Sequence, residues 1–337
     1  MMQSRILTRG VLWLVLVVGP SASLAQHAGV VSASRTFTTA PADSLYRHYD
    51  ACAHVTVLGI PVFSRCGVGG GFASIAKGQD QSVVLQFVSG SSPDRAHGLN
   101  RIGLIQEVVW EEGSGAARSS YFGFMTSSGE ESISQAKAAL DDARPGRQVP
   151  YTVAQGLASG SSVRYSICQM QLPASFQWSD SAEMLRQIQQ QLKVQSQSRP
   201  IVMNASEAGD QPAQLRTFLY AMRFALMSPA PQTQQSVVHN GTVYRLTIVK
   251  SADPKVGAEL ARTGLIASPQ DALHLAGVIK NLKTRSETPF SVWYDASSTN
   301  ILPLRFEFRP KSFLKLTFQA DKNLAPPSKF DVRASIR

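Results

Sequence analysis

Between Phe290 and Ala320 the chain reads FSVWYDASSTNILPLRFEFRPKSFLKLTFQA, with apolar side chains at nearly every second position. That two-residue period belongs to strands with one face buried and the other in water. Leu302, Leu304, Phe306 and Phe308 fall on one side, and Arg305, Glu307 and Arg309 on the other. After Pro310-Lys311-Ser312 the alternation resumes, with Leu314, Leu316 and Phe318 opposite Lys315, Thr317 and Gln319. Parity restricts the register. A two-residue turn at Lys311-Ser312 would set Phe308 against Lys315. A three-residue loop, Pro310 to Ser312, instead pairs Phe308 with Leu314, Phe306 with Leu316 and Leu304 with Phe318. Phe290, Val292 and Tyr294 form a third strand, ended by a polar turn over 295–300. Pro303 lacks an amide proton and is expected at an edge or bulge. The result is an antiparallel meander whose apolar face either closes a core or lines a ligand cavity.

The 337 residues suffice for one large or two medium domains. A chain that is 43% apolar and only 17% charged should be globular. Residues 1–25 read as a signal peptide: Arg5 and Arg9 precede the apolar run Val11–Gly19, and Ser23-Leu24-Ala25 offers a small-x-small cleavage site. The run is too short for a transmembrane anchor, so a periplasmic or secreted product that does not span the membrane is expected. Removing this leader lowers the formal charge from +10 to +8. Eleven Lys/Arg against five Asp/Glu lie between Ala276 and Arg337. They alternate with apolar residues, as on a solvated strand face, and no basic helix or binding motif points to nucleic acid.

Residues 26–44 read as a flexible leader, 45–195 as a β-rich α+β region and 200–325 as an antiparallel sheet with helices, separated by the polar linker 195–200. Folding the first region about Gly59 brings Cys52 opposite Cys66, which allows a disulfide; three unpaired thiols are the alternative. Gly67-Val-Gly-Gly-Gly71 lacks the Gly-Lys-Ser/Thr of a phosphate loop and reads as a bend or β-bulge. Helices are expected over about 129–140, 180–194 and 211–227, and over about 268–282 behind Ser268-Pro269-Gln-Asp271. Asn240-Gly241 between alternating segments marks a tight hairpin. The whole reads as α+β, sheet-dominated: an antiparallel curved sheet or incomplete β-barrel with amphipathic helices packed on one side.

Chemistry is sparse. The six histidines show no ligand spacing, and no metal, cofactor or α/β-hydrolase motif occurs. No cofactor is expected. The order over 242–320 (strand, helix, F-x-V-W-Y-D, polar turn, L-P-L-R-F-x-F, turn, L-x-L-x-F) resembles the tail of an uncharacterised family of exported bacterial proteins. That family is related in fold to the LolA/LolB lipoprotein carriers, and the matching positions are Trp293, Tyr294, Asp295, Pro303 and Arg305. The resemblance implies an incomplete barrel with helices over its mouth, and its carrier members hold acyl chains inside. It transfers no functional residue. The leading expectation is a non-catalytic envelope protein holding a lipid or other hydrophobic small molecule. A ligand-free interaction module that binds an envelope protein comes next, and an exported hydrolase last.

Overall fold

The computed structural model describes residues 45–57, 60–78, 82–96, 100–110, 118–126, 146–194, 201–204, 214–239, 242–298, 301–311 and 314–322. The expected signal peptide, the 26–44 leader, the 129–140 helix and the 195–200 linker lie outside these residues.

The first run of strands is β1 (Leu45–Val57), β2 (Ile60–Lys77), β3 (Val83–Ser91), β4 (Ile102–Trp110), β5 (Arg118–Thr126), β6 (Gln148–Ser159) and β7 (Ser162–Pro173). Helix α1 (Ser181–Val194), β8 (Ile201–Asn204), β9 (Leu215–Thr217) and helix α2 (Phe218–Met227) follow. The chain then forms β10 (Gln232–His239), β11 (Thr242–Ala252), helix α3 (Pro254–Arg262), β12 (Ala272–Asn281), β13 (Glu287–Asp295), β14 (Arg305–Lys311) and β15 (Leu314–Ala320). All described strands belong to one 15-stranded sheet, ordered 8-7-6-5-4-3-2-1-15-14-13-12-11-10-9. Every pairing is antiparallel except β9 with β10. The segments 45–195 and 200–325 meet where β1 pairs with β15, Ala51 opposite Phe318, and again where β7 pairs with β8.

The sheet curls until it nearly closes. The Leu215 amide at the β9 edge donates to the Gly160 carbonyl in the β6–β7 turn at 2.8 Å. Behind that contact Tyr121, Ala154, Ala158 and Val163 pack with Leu215, Val238 and Val243. Burying apolar area across this seam takes the place of a complete hydrogen-bonded ladder.

The helices sit on both faces, not on one. Amphipathic α1 lays Met184, Leu185 and Ile188 over Phe72, Val88, Leu104 and Phe124 on the outer face. Farther along that face, Leu260 of α3 packs with Trp293, Ala272 and Leu304. α2 lies against the inner face instead, with Phe218, Ala221, Met222 and Ala225 among Phe87, Val237, Phe290 and Phe306. Nine of its ten residues are apolar or aromatic, so no stripe of it is suited to water.

The terminal meander forms, with its register displaced. Phe306 pairs with Phe318 and Phe308 with Leu316, because a bulge after Phe308 sets two β14 residues against one before Lys311 meets Leu314. The expected partners are thus offset by two residues, which keeps parity and the apolar face. Leu304 and Pro303 precede the strand, so the alternation does not govern them. Leu304 turns to the outer cluster while Leu302 stays inside.

Two helix expectations fail. Residues 272–281 form strand β12, because the Ser268–Asp271 capping box closes only a 3₁₀ turn. β11 and β13 then supply ladder partners on both sides. Gly277, Val278 and Ile279 are poor helix formers, and Gly277 leaves room for the Phe290 ring: a Cβ there would lie 2.0 Å from Phe290 Cζ. The helix expected over 211–227 begins only at Phe218, after Leu215–Thr217 joins the sheet as β9. α3 was unanticipated, although Asp253-Pro254 carries its start signal: the Asp253 carboxylate accepts from the Val256 amide at 3.1 Å, and proline occupies the first turn. At the expected hairpin, His239 pairs with Thr242.

Candidate functional site

α2 is the element that defines the site, and the sheet ties it down at both ends. Its N-cap residue Thr217 makes no side-chain cap. Glu107, on the inner face of β4 and 1% exposed, takes that role: its two carboxylate oxygens accept the amides of Leu219 and Tyr220 at 2.9 and 2.8 Å. These are first-turn amides with no partner inside the helix. Burial pushes the Glu107 carboxyl up to about 7, against the opposing pull of the hydrogen bonds it accepts from the Leu219 and Tyr220 amides. Gln235 of β10 donates to the Ala221 carbonyl at 3.0 Å. At the far end the Lys250 ammonium donates to the carbonyls of Leu226, at 3.0 Å, and Ser228. A cation at a helix C-terminus complements the dipole.

Between α2 and the sheet lies a cavity of about 100 Å³, walled chiefly by Phe87, Phe218, Met222, Phe290, Val292 and Phe306. Ser74 and Gln86, linked by a 3.3 Å hydrogen bond, and Arg223 give it a few polar atoms. An apolar cavity of about 150 Å³ holds benzene, and drug-sized ligands occupy several hundred. As drawn, this space fits a few carbon atoms. A longer chain would place only its apolar end here.

The residues singled out in the terminal meander distribute as follows. Leu302 and Phe306 line the cavity. Phe308, Leu316 and Phe318 belong to the same packed cluster, with half-buried Leu314 against it, and Leu304 belongs to the outer cluster. Phe306 stacks on Phe318 at 4.5 Å and meets Phe87 edge-on at 5.0 Å, so most of the interior is filled by the protein's own rings. Arg305, expected to meet only solvent, is 11% exposed. It pairs with Glu259 at 2.7 Å and with Glu307, and lies over the Trp293 ring.

Cys52 and Cys66 stand directly opposite in β1 and β2 and form a disulfide. The adjoining bulge is turned by Gly67 at φ +70°, within the glycine-rich stretch. Among the described residues, the grouping close enough for a metal ion is Asp50 with these two cysteines. The disulfide withdraws both thiolates as ligands.

On the outer face the hydroxyl of Ser251 lies 3.3 Å from His274 Nδ1, and His274 stacks on Trp293. The nearby Asp253 directs its oxygens to the Val256 amide and the Trp293 indole N–H. His274 Nε2 is buried without a hydrogen-bond partner. A Ser/His/Asp relay needs the carboxylate on the imidazole nitrogen opposite the serine, and that contact is missing here. Asp295 closes its own turn through Ser297 and does not join this group.

Glu107, Gln235 and Lys250 were not anticipated. Glu107 alone carried a signal, a charge in the otherwise apolar stretch Glu107-Val-Val-Trp110.

No family model matches the sequence, and a search of curated proteins finds no match. Among solved structures the fold is similar to a β-barrel-like protein of domain of unknown function DUF1849 from Brucella abortus. That likeness has 9% identity and a TM-score of 0.43, and covers 85% of this chain and 98% of the other.

Proposed function

We propose that this protein is a non-catalytic binding protein that holds the apolar end of a small hydrophobic molecule or lipid beneath α2. The observation that carries the reading is the apolar cavity at the interface of α2 and the sheet, beside a helix whose backbone is bonded to the sheet through side chains. Tethers of this kind can be exchanged for water or lipid headgroups without breaking a strand ladder. The likeness of residues 242–320 to the carrier-related exported family supports the same reading, as does the scarcity of catalytic geometry among the described residues. We place the protein in the periplasm or outside the cell; the leader features and the paired Cys52 and Cys66 support this.

The test is native mass spectrometry and solvent extraction of the purified protein, followed by uptake of a fluorescent short-chain fatty acid. Met222→Trp fills the cavity and should abolish uptake while leaving the circular dichroism spectrum unchanged. Recovery without lipid, together with no probe uptake by the parent protein, would sink the proposal in favour of a packed interaction module.

A further inference from the structure

α2 presents an anomaly on its outward side. A helix apolar on all sides is ordinarily enclosed, yet here Phe224 is 41% exposed and Met227 62% exposed. They stand three residues apart and so share one face of the helix. Along the chain on either side of them the charge has a single sign, while the Glu107 carboxylate bonded to the helix is buried at the helix N-terminus. No Asp or Glu occurs between Asp210 and Asp253, while Arg216, Arg223, Arg245 and Lys250 fall in that interval. The Arg216 guanidinium sits 4.1 Å over the Phe224 ring, which fixes a positive charge at the edge of the apolar pair.

We propose that this outward face of α2 docks on the surface of an anionic lipid bilayer. Two projecting apolar side chains flanked by arginine match what shallow interfacial attachment requires, namely insertion at the acyl boundary and attraction to acidic headgroups. Charge complementarity selects anionic over neutral lipid. A bilayer needs neither a shaped groove nor directed hydrogen bonds, only apolar side chains that insert and basic groups beside them. The inference stands without a ligand in the cavity. If the cavity is also used, the docked face belongs to the helix that forms one of its walls.

The experiment is co-sedimentation of the chain from residue 26 onward, which keeps every described element and omits the apolar run 11–19. Vesicles are phosphatidylcholine alone, or phosphatidylcholine mixed equally with phosphatidylglycerol. Binding to the mixed vesicles at low salt, weakened by added salt and absent with phosphatidylcholine alone, is expected. Phe224→Ser with Met227→Ser should reduce it about fivefold or more, with unchanged circular dichroism because both side chains are exposed. Should that variant prove misfolded, Arg216→Gln provides the second reading and should weaken binding to mixed vesicles. Equal binding by folded variants and parent would overturn the proposal, as would failure to bind the mixed vesicles. Met222→Trp should bind vesicles normally, so failure of the cavity reading and failure of this one are distinguishable.

Discussion

Glu107→Gln is the sharpest perturbation, because one buried carboxylate secures α2 from a strand 112 residues away in sequence. The folded protein raises the Glu107 carboxyl from 4.5 to about 7. Between those values the folded chain binds more protons than the unfolded chain, so the glutamate's contribution to stability falls as pH rises through the window. Integrating from about pH 5 to about pH 7 at 1.36 kcal/mol per unit gives a loss of about 2 kcal/mol. The substituted glutamine keeps the volume and one acceptor but does not titrate. The stability difference between variant and parent should therefore shift by about 2 kcal/mol in the variant's favour between the two pH values. Other groups cancel in that difference. This matters because His239 opposes the trend: burial lowers it from 6.5 to about 4, so its contribution is lost as pH falls through that range. The parent should then appear nearly flat where the two windows overlap, while the variant declines on acidification. Urea titrations at the two pH values measure it. With m of about 3 kcal/mol per M, the relative midpoint shift is about 0.7 M. A variant-minus-parent difference that stays constant to within about 0.5 kcal/mol, a quarter of the expected shift, would refute the assignment of a buried, proton-sensitive tether.

Two further outcomes test the frame around the site. Replacing Cys52 and Cys66 by serine opens a loop whose ends are 14 residues apart and should cost about 3 kcal/mol; the parent in a reducing agent should match the variant in urea unfolding. Gly277→Ala drives a Cβ into the Phe290 ring, which walls the cavity and packs edge-on to Phe218, and should cost about 1–3 kcal/mol. Near-ultraviolet circular dichroism of the aromatic rings should change with it, and an unchanged spectrum and melting temperature would show that Phe290 does not cover Gly277.

The alternation of Phe290–Tyr294, Phe306–Phe308 and Leu314–Phe318 made the meander and its buried face legible, because side-chain parity along a strand needs no knowledge of the partner. The same reasoning failed at Leu304, one residue before β14 begins, where nothing local marks the strand's start. It failed again at Ala272–Asn281, whose apolar spacing satisfies either period over so short a run.

Sequence alone therefore determined the class of the fold: a sheet-dominated α+β chain ending in a meander with an apolar face, a tight hairpin between His239 and Thr242, and a bulge in the glycine-rich stretch of β2. Tertiary structure decided which of two adjacent registers β14 and β15 adopt, that β12 joins the sheet, and that α2 turns inward onto Glu107. The physical reason is range. Periodicity and turn chemistry act over a few neighbouring residues. The desolvation of Glu107, the fit of Phe290 over Gly277 and the cavity beneath Met222 depend on groups brought together from distant parts of the chain.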